Sequence, residues 1–175
     1  MPELQGIVIT MGDYSKDVIT AARSRVGLPF RHHFKPENNC NSGTATNDSC
    51  MEKGMDNSGY DCSGLVVASI CEVLGVKTNQ WPREYRHMVQ LEELAVDENV
   101  EAGDPILLYL DPGENGVRRT HMGIFVAEQC VIHASGITGI VEEGGVEGVI
   151  DEVRFISSAA IVDLLQSQDR EYLTC

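Results

Sequence analysis

Of the six cysteines, at positions 40, 50, 62, 71, 130 and 175, Cys62 is the one placed to react. It stands in Gly59-Tyr60-Asp61-Cys62-Ser63-Gly64-Leu65, ahead of a run (Leu65, Val66, Val67, Ala68, Ile70, Cys71, Val73, Leu74) that is apolar on nearly every face and is followed by Gly75. That pattern predicts a buried central helix that begins at the thiol and stops at the glycine. A thiol at a helix start feels the positive end of the dipole and the unpaired backbone N–H groups, which favour the thiolate, the form that attacks carbonyls. The same N–H groups can steady an oxyanion. An inert thiol at a helix start has the same local sequence, so the reading turns on whether a base is available.

The candidates for that base are His121, in Thr120-His121-Met122-Gly123-Ile124-Phe125-Val126-Ala127, and His133, in Cys130-Val131-Ile132-His133-Ala134-Ser135. Both sit in otherwise apolar strands joined by Glu128-Gln129, the layout of a hairpin. A nucleophile, a base and a group that orients the base are the parts thiol catalysis needs. Alternation puts His121, Gly123 and Phe125 on one face. With Ala127 opposite Cys130 and an unbroken ladder, His133 would fall opposite Ile124 and point the other way. For His133 to support His121 the hairpin must contain a bulge or an odd-length loop, and we expect one.

The surrounding pattern must position these groups. Tyr14, Val18, Ala21, Ala22 and Val26 recur at helical spacing, predicting a helix from Asp13 to Gly27, capped by Asp13 or Ser15 and stopped by Gly27 and Pro29. Residues 31 to 59 carry no periodicity and read as a long lid or rim loop. A third helix is expected after Trp81, with Pro82 in its first turn, Tyr85, Met88 and Leu91 inward and His87 on its surface. Downstream, 105–110, 121–127, 130–135, 147–156 and 159–164 read as strands. The pairs Glu142-Glu143 and Asp151-Glu152 read as solvated turns and edges, and Cys71 and Cys130 as small buried hydrophobes. Helices first and strands after make one α+β domain spanning residues 1–175.

Lys and Arg total 13 against 27 Asp and Glu, a formal charge of -14 that repels phosphate backbones and anionic lipid. Nucleic acid is excluded as a natural partner, and no run is long enough to insert in a membrane. The first residues lack a basic n-region and an export h-region. The chain is therefore expected to be made in the cytoplasm and to need another system to reach any substrate outside it. His32, His33, Cys40 and Cys50 do not have the spacing of a recognised zinc motif, and a Cys40 to Cys50 disulfide is the better reading outside the cytoplasm. No metal or cofactor is called for.

Asp61-Cys62-Ser63-Gly64-Leu65-Val66, Gly103-Asp104, His121-Met122-Gly123-Ile124 and Ile132-His133-Ala134, in that order, resemble the NlpC-type cell-wall cysteine peptidases, a papain-like family, over most of residues 16 to 135. The resemblance implies Cys62 as nucleophile, His121 as base and His133 as the group orienting it, with Asp61 and Ser63 beside the substrate and the Cys62 backbone N–H serving the oxyanion. Gly27-Leu28-Pro29-Phe30-Arg31-His32 resembles the family's Gly-x-Pro-Tyr element in a wording closest to phage tail variants. Phe30, the corresponding substrate contact, lacks the hydroxyl that the family places near its thiol. The 31–59 insertion, longer than in many relatives, would reshape the groove. The implied reaction is hydrolysis of an amide in peptidoglycan stem peptides at the periplasm or cell wall, typically between D-glutamate and a diamino acid, with a delivery, tail or immunity protein as a further partner. Two rival readings share the core: a thiol–histidine acyltransferase, which would need an apolar lipid-binding surface, and a catalytically inactive structural module.

Overall fold

The computed structural model describes residues 11–30, 59–76, 92–94, 100–157 and 159–164. The greater part of the 31–59 loop, the helix expected after Trp81, and His32, His33, Cys40, Cys50, His87 and Cys175 lie outside them.

Helix α1 (Met11–Arg23) packs on helix α2 (Cys62–Leu74), and α2 packs on a five-stranded antiparallel sheet. The strands are β1 (Pro105–Leu110), β2 (Arg119–Ala127), β3 (Cys130–Ala134), β4 (Val141–Gly144) and β5 (Ile150–Phe155), in the order β4-β3-β2-β1-β5. This is the α+β arrangement read from the sequence, with the central helix beginning at the thiol. Tyr14, Val18 and Ala22 from α1, Leu65, Val66 and Ile70 from α2, and Leu107, Met122, Ile124 and Ile132 from the sheet form the main core. A smaller cluster of Ile106, Leu108 and Val131, backed by Phe125 and Phe155, uses the alternate residues of the same strands. Pro-Ile-Leu-Leu-Tyr-Leu in β1 is therefore buried at every position, which is why that run is continuously apolar instead of alternating.

Four expectations change. Helix α1 begins two residues before Asp13 and ends at Arg23, because residues 24–27 tighten into a turn in which Arg25 N–H donates to Ala22 and Val26 N–H to Arg23. Residues 159–164 are helical, not a strand. The Ser157 hydroxyl oxygen accepts from Ala160 N–H at 3.1 Å, an N-terminal cap, and the turn that follows buries Ile161 in the main core. Strand β4 was not among the expected strands and sets Glu142-Glu143 on the sheet edge, and Cys130, expected buried, is only partly so at the start of β3.

Two devices lock the corners. Gly103 has φ +97°, and a Cβ there would lie 2.6 Å from the Ser15 carbonyl oxygen, so α1 can approach only a glycine. Asp104 turns its carboxylate back to Glu101 N–H at 2.9 Å. The Gly103-Asp104 pair thus acts on the architecture.

Candidate active site

The histidines come together because the β2–β3 hairpin is irregular. Ala127 pairs with Cys130 across the two-residue turn Glu128-Gln129, with Gln129 at φ 59°, yet Phe125 pairs with Val131 and Ile124 with Ile132. One residue on β2, Val126, is therefore extra: a β-bulge. The shift sets His133 beside Gly123 instead of Ile124, and both imidazoles emerge on one face. His121 Nε2 lies 2.9 Å from His133 Nδ1, with ring centroids 5.0 Å apart and planes at 89°. The irregularity required on parity grounds is present.

Gly123 makes the approach possible. A Cβ there would meet Val131 Cγ1 at 2.5 Å, the Ile132 carbonyl oxygen at 2.7 Å and His133 Cβ at 3.1 Å. Gly123→Ala is expected to destabilise the fold by about 2 kcal/mol or more, read as a lowered urea midpoint, because overpacking at backbone cannot be relieved by a rotamer. Adding Val131→Ala should recover only part of the loss, since the carbonyl clash remains. Full recovery would show that backbone approach is not the constraint.

The tautomers follow from the surroundings. His133 is buried; its Nε2 lies 3.5 Å from Glu142 Oε1, and the Gly145 backbone lies beside the ring. The Glu142 carboxylate favours a proton on Nε2, leaving Nδ1 as an acceptor. His121 must then donate from Nε2, which leaves its Nδ1 lone pair as the proton-accepting atom of the pair. Burial, with the His133 imidazole beside it, lowers the pKa of His121 to about 4, so this ring is neutral at physiological pH. His133 is also lowered by burial, with Glu142 and Gly145 opposing the shift.

Cys62 is the first residue of α2. Asp61 is its N-cap: Oδ1 accepts from Gly64 N–H at 2.7 Å, and the Ser63 hydroxyl points to the same oxygen at 3.5 Å. Asp61 and Ser63 are buried, whereas Cys62 is partly exposed and packs against the main core. The helix ends at Gly75, φ +65°, whose N–H caps Cys71 and Glu72. Residues 27–30 tie this helix start to the histidine sheet. Tyr60 N–H donates to Pro29, Phe30 N–H to Gly139, Gly27 N–H to Val141 and Val141 N–H to Leu28. Phe30 is half-buried, with its ring over Gly136. The structure thus joins His121 and His133 directly and sets Cys62 at the start of the helix that packs on their two strands.

One buried support was not singled out from sequence. Arg25 donates Nη1 to the Ala21 carbonyl at 2.7 Å and Nη2 to Glu72 at 2.6 Å, and its Nε reaches the Tyr60 hydroxyl at 3.3 Å. It fastens α1 both to α2 and to the residue two before the thiol. An arginine in the last turn of a helix reads as a surface charge, and no local signal separates this one.

The NlpC/P60 family model matches residues 52–157. The chain belongs to the NlpC/P60 family. Its fold is similar to the NlpC/p60 domain of the peptidoglycan hydrolase SagA, at 22% identity and a TM-score of 0.50, covering 82% of this chain and 97% of that one. It is also similar to the peptidoglycan hydrolase RipB from Mycobacterium tuberculosis, at 20% identity and a TM-score of 0.50 over 82% of this chain and 64% of that one. A third likeness is to the resuscitation promoting factor interacting protein RipA, at 19% identity and a TM-score of 0.53 over 83% and 62%. RipB and RipA thus extend well beyond the part this chain matches. A comparison with curated proteins finds no match.

Proposed function

We propose that this NlpC/P60 domain is a cysteine peptidase that hydrolyses amide bonds in peptidoglycan stem peptides, of the D-glutamyl to diamino acid type, through a thioester on Cys62. The observation that carries the reading is the imidazole pair of His121 and His133 at 2.9 Å, on strands against which the Cys62 helix packs. His121 Nδ1 takes the Cys62 proton as sulfur adds to the carbonyl carbon, and the Cys62 backbone N–H at the helix start steadies the oxyanion. Collapse breaks the C–N bond, and the amine leaves with the proton held by His121. Water then adds to the thioester, gives a proton to the same imidazole, and releases the carboxylic acid and the thiol. Asp61 acts here by fixing the helix start, and Ser63 and Phe30 line the approach to the thiol. Delivery to the wall by another system, with a tail or immunity protein as partner, belongs to the same proposal.

The test is digestion of purified peptidoglycan fragments with mass spectrometry of the new amine and carboxyl termini. One new amine and one new carboxyl per cut, blocked by prior alkylation with iodoacetamide, is the expected result and names the bond. Fragments left intact by protein whose Cys62 still alkylates would overturn the peptidoglycan reading and favour an acyl transfer to another acceptor.

A further inference from the structure

Beyond the pair of histidines, the structure assigns a third member to the hydrogen-bond chain: we infer that Glu142 is a positioning residue that holds the Nε2 proton of His133 and so decides which nitrogen of His121 is left to accept. The inference rests on the thiol–imidazole reading above. The edge strand β4 exists to pair with β3, and its register sets Glu142 directly opposite His133, on the same face. His133 is 2% exposed, and its Nε2 is buried with no hydrogen bond closed. Glu142 Oε1 lies 3.5 Å from it, on a side chain 29% exposed. The adjacent carboxylate is already committed, since Glu143 accepts from Arg23 at 2.8 and 2.6 Å. Among the described residues Glu142 has no cation in ion-pair range but His133.

The chemistry is orientation, not proton removal. A proton held on His133 Nε2 makes Nδ1 an acceptor, which obliges His121 to donate from Nε2 and present Nδ1 as a base. Without the carboxylate, His133 is free to carry its proton on Nδ1. Two N–H groups would then face each other across 2.9 Å unless His121 moved its own proton to Nδ1, where it could no longer accept. The groups that face His133 are His121 from β2, Glu142 from β4 and the Gly145 backbone just beyond β4, so a change at Glu142 must be read at both rings.

The experiment pairs nitrogen-15 NMR of the imidazoles with the rate of Cys62 alkylation by iodoacetamide against pH, in the full chain and in Glu142→Ala and Glu142→Gln. Wild type is expected to show both rings as Nε2–H tautomers. Glu142→Ala is expected to mix the His133 tautomers and slow alkylation at neutral pH by about tenfold, the effect typical of losing an outer partner of a functional histidine. Glu142→Gln keeps an acceptor, so it should restore the tautomer and most of the rate while lowering the His133 pKa through loss of the charge. Unchanged tautomers and alkylation in Glu142→Ala would overturn the inference. Should that variant fail to fold, a His133 titration in Glu142→Gln identical to wild type would overturn it equally. Both readouts are taken without substrate, so failure to cleave peptidoglycan leaves them intact, and failure of the Glu142 role leaves cleavage intact.

Discussion

Cys62→Ala is expected to abolish cleavage of peptidoglycan fragments, and His121→Ala to lower kcat/KM by roughly 10²–10⁴-fold. In the proposed mechanism the thiol forms the covalent intermediate, so nothing replaces it, whereas an ordinary thiol keeps a few per cent of thiolate at neutral pH even without a base. His121, with its pKa lowered to about 4 by burial, is neutral at neutral pH and keeps a lone pair free to accept. The pair acts as a unit, so the double variant should be no worse than Cys62→Ala alone. The discriminating measurement is alkylation of Cys62 with iodoacetamide, which requires no substrate. A rate in His121→Ala equal to wild type at pH 6 to 8 would mean that the imidazole does not serve this thiol, and the inactive-module reading would return.

How much of this was legible in the sequence differs from element to element. Helix α2 was readable because burial on all sides writes itself as an unbroken apolar run bounded by an Asx cap and a glycine. Strand β1 was read to the residue for the same reason. The bulge was recoverable only as a requirement: alternation alone sends His133 to the wrong face, and no residue type at Val126 announces the extra position. The helical turn at 159–164 was missed because Ile161, Val162 and Leu164 look the same in a short strand or a short amphipathic helix, and the deciding feature is the Ser157 cap. Strand β4 was missed because two adjacent glutamates suggest solvent. Glu143 finds Arg23 on a distant helix, and Glu142 lies opposite His133 on the neighbouring strand. Arg25 was missed for the same cause, since its partners Tyr60 and Glu72 are remote in sequence.

Acidification from pH 7 to pH 5 is expected to destabilise the fold by about 2 kcal/mol through His121. Its pKa falls from an unfolded value of 6.5 to about 4 in the folded protein, so between those values the unfolded state binds the extra proton. Stability from this group is complete above pH 6.5, declines as pH falls, and is exhausted below pH 4, for a total of about 3 kcal/mol. His133, lowered in the same direction, adds to the slope. The salt-bridged Glu143 and Glu152 carboxylates are lowered from 4.5, so their losses begin at more acid pH and leave the upper window to the histidines. The formal charge of -14 supplies an opposing expectation: protonation relieves repulsion among the acidic groups and would raise stability on acidification. Urea midpoints at pH 7 and pH 5 decide between them. A lower midpoint at pH 5 in wild type, with most of the difference gone in His121→Gln, assigns the slope to the buried imidazole. A midpoint that rises at pH 5, or a slope that survives His121→Gln intact, assigns it to the surface charge or to His133 and removes His121 as the acid sensor.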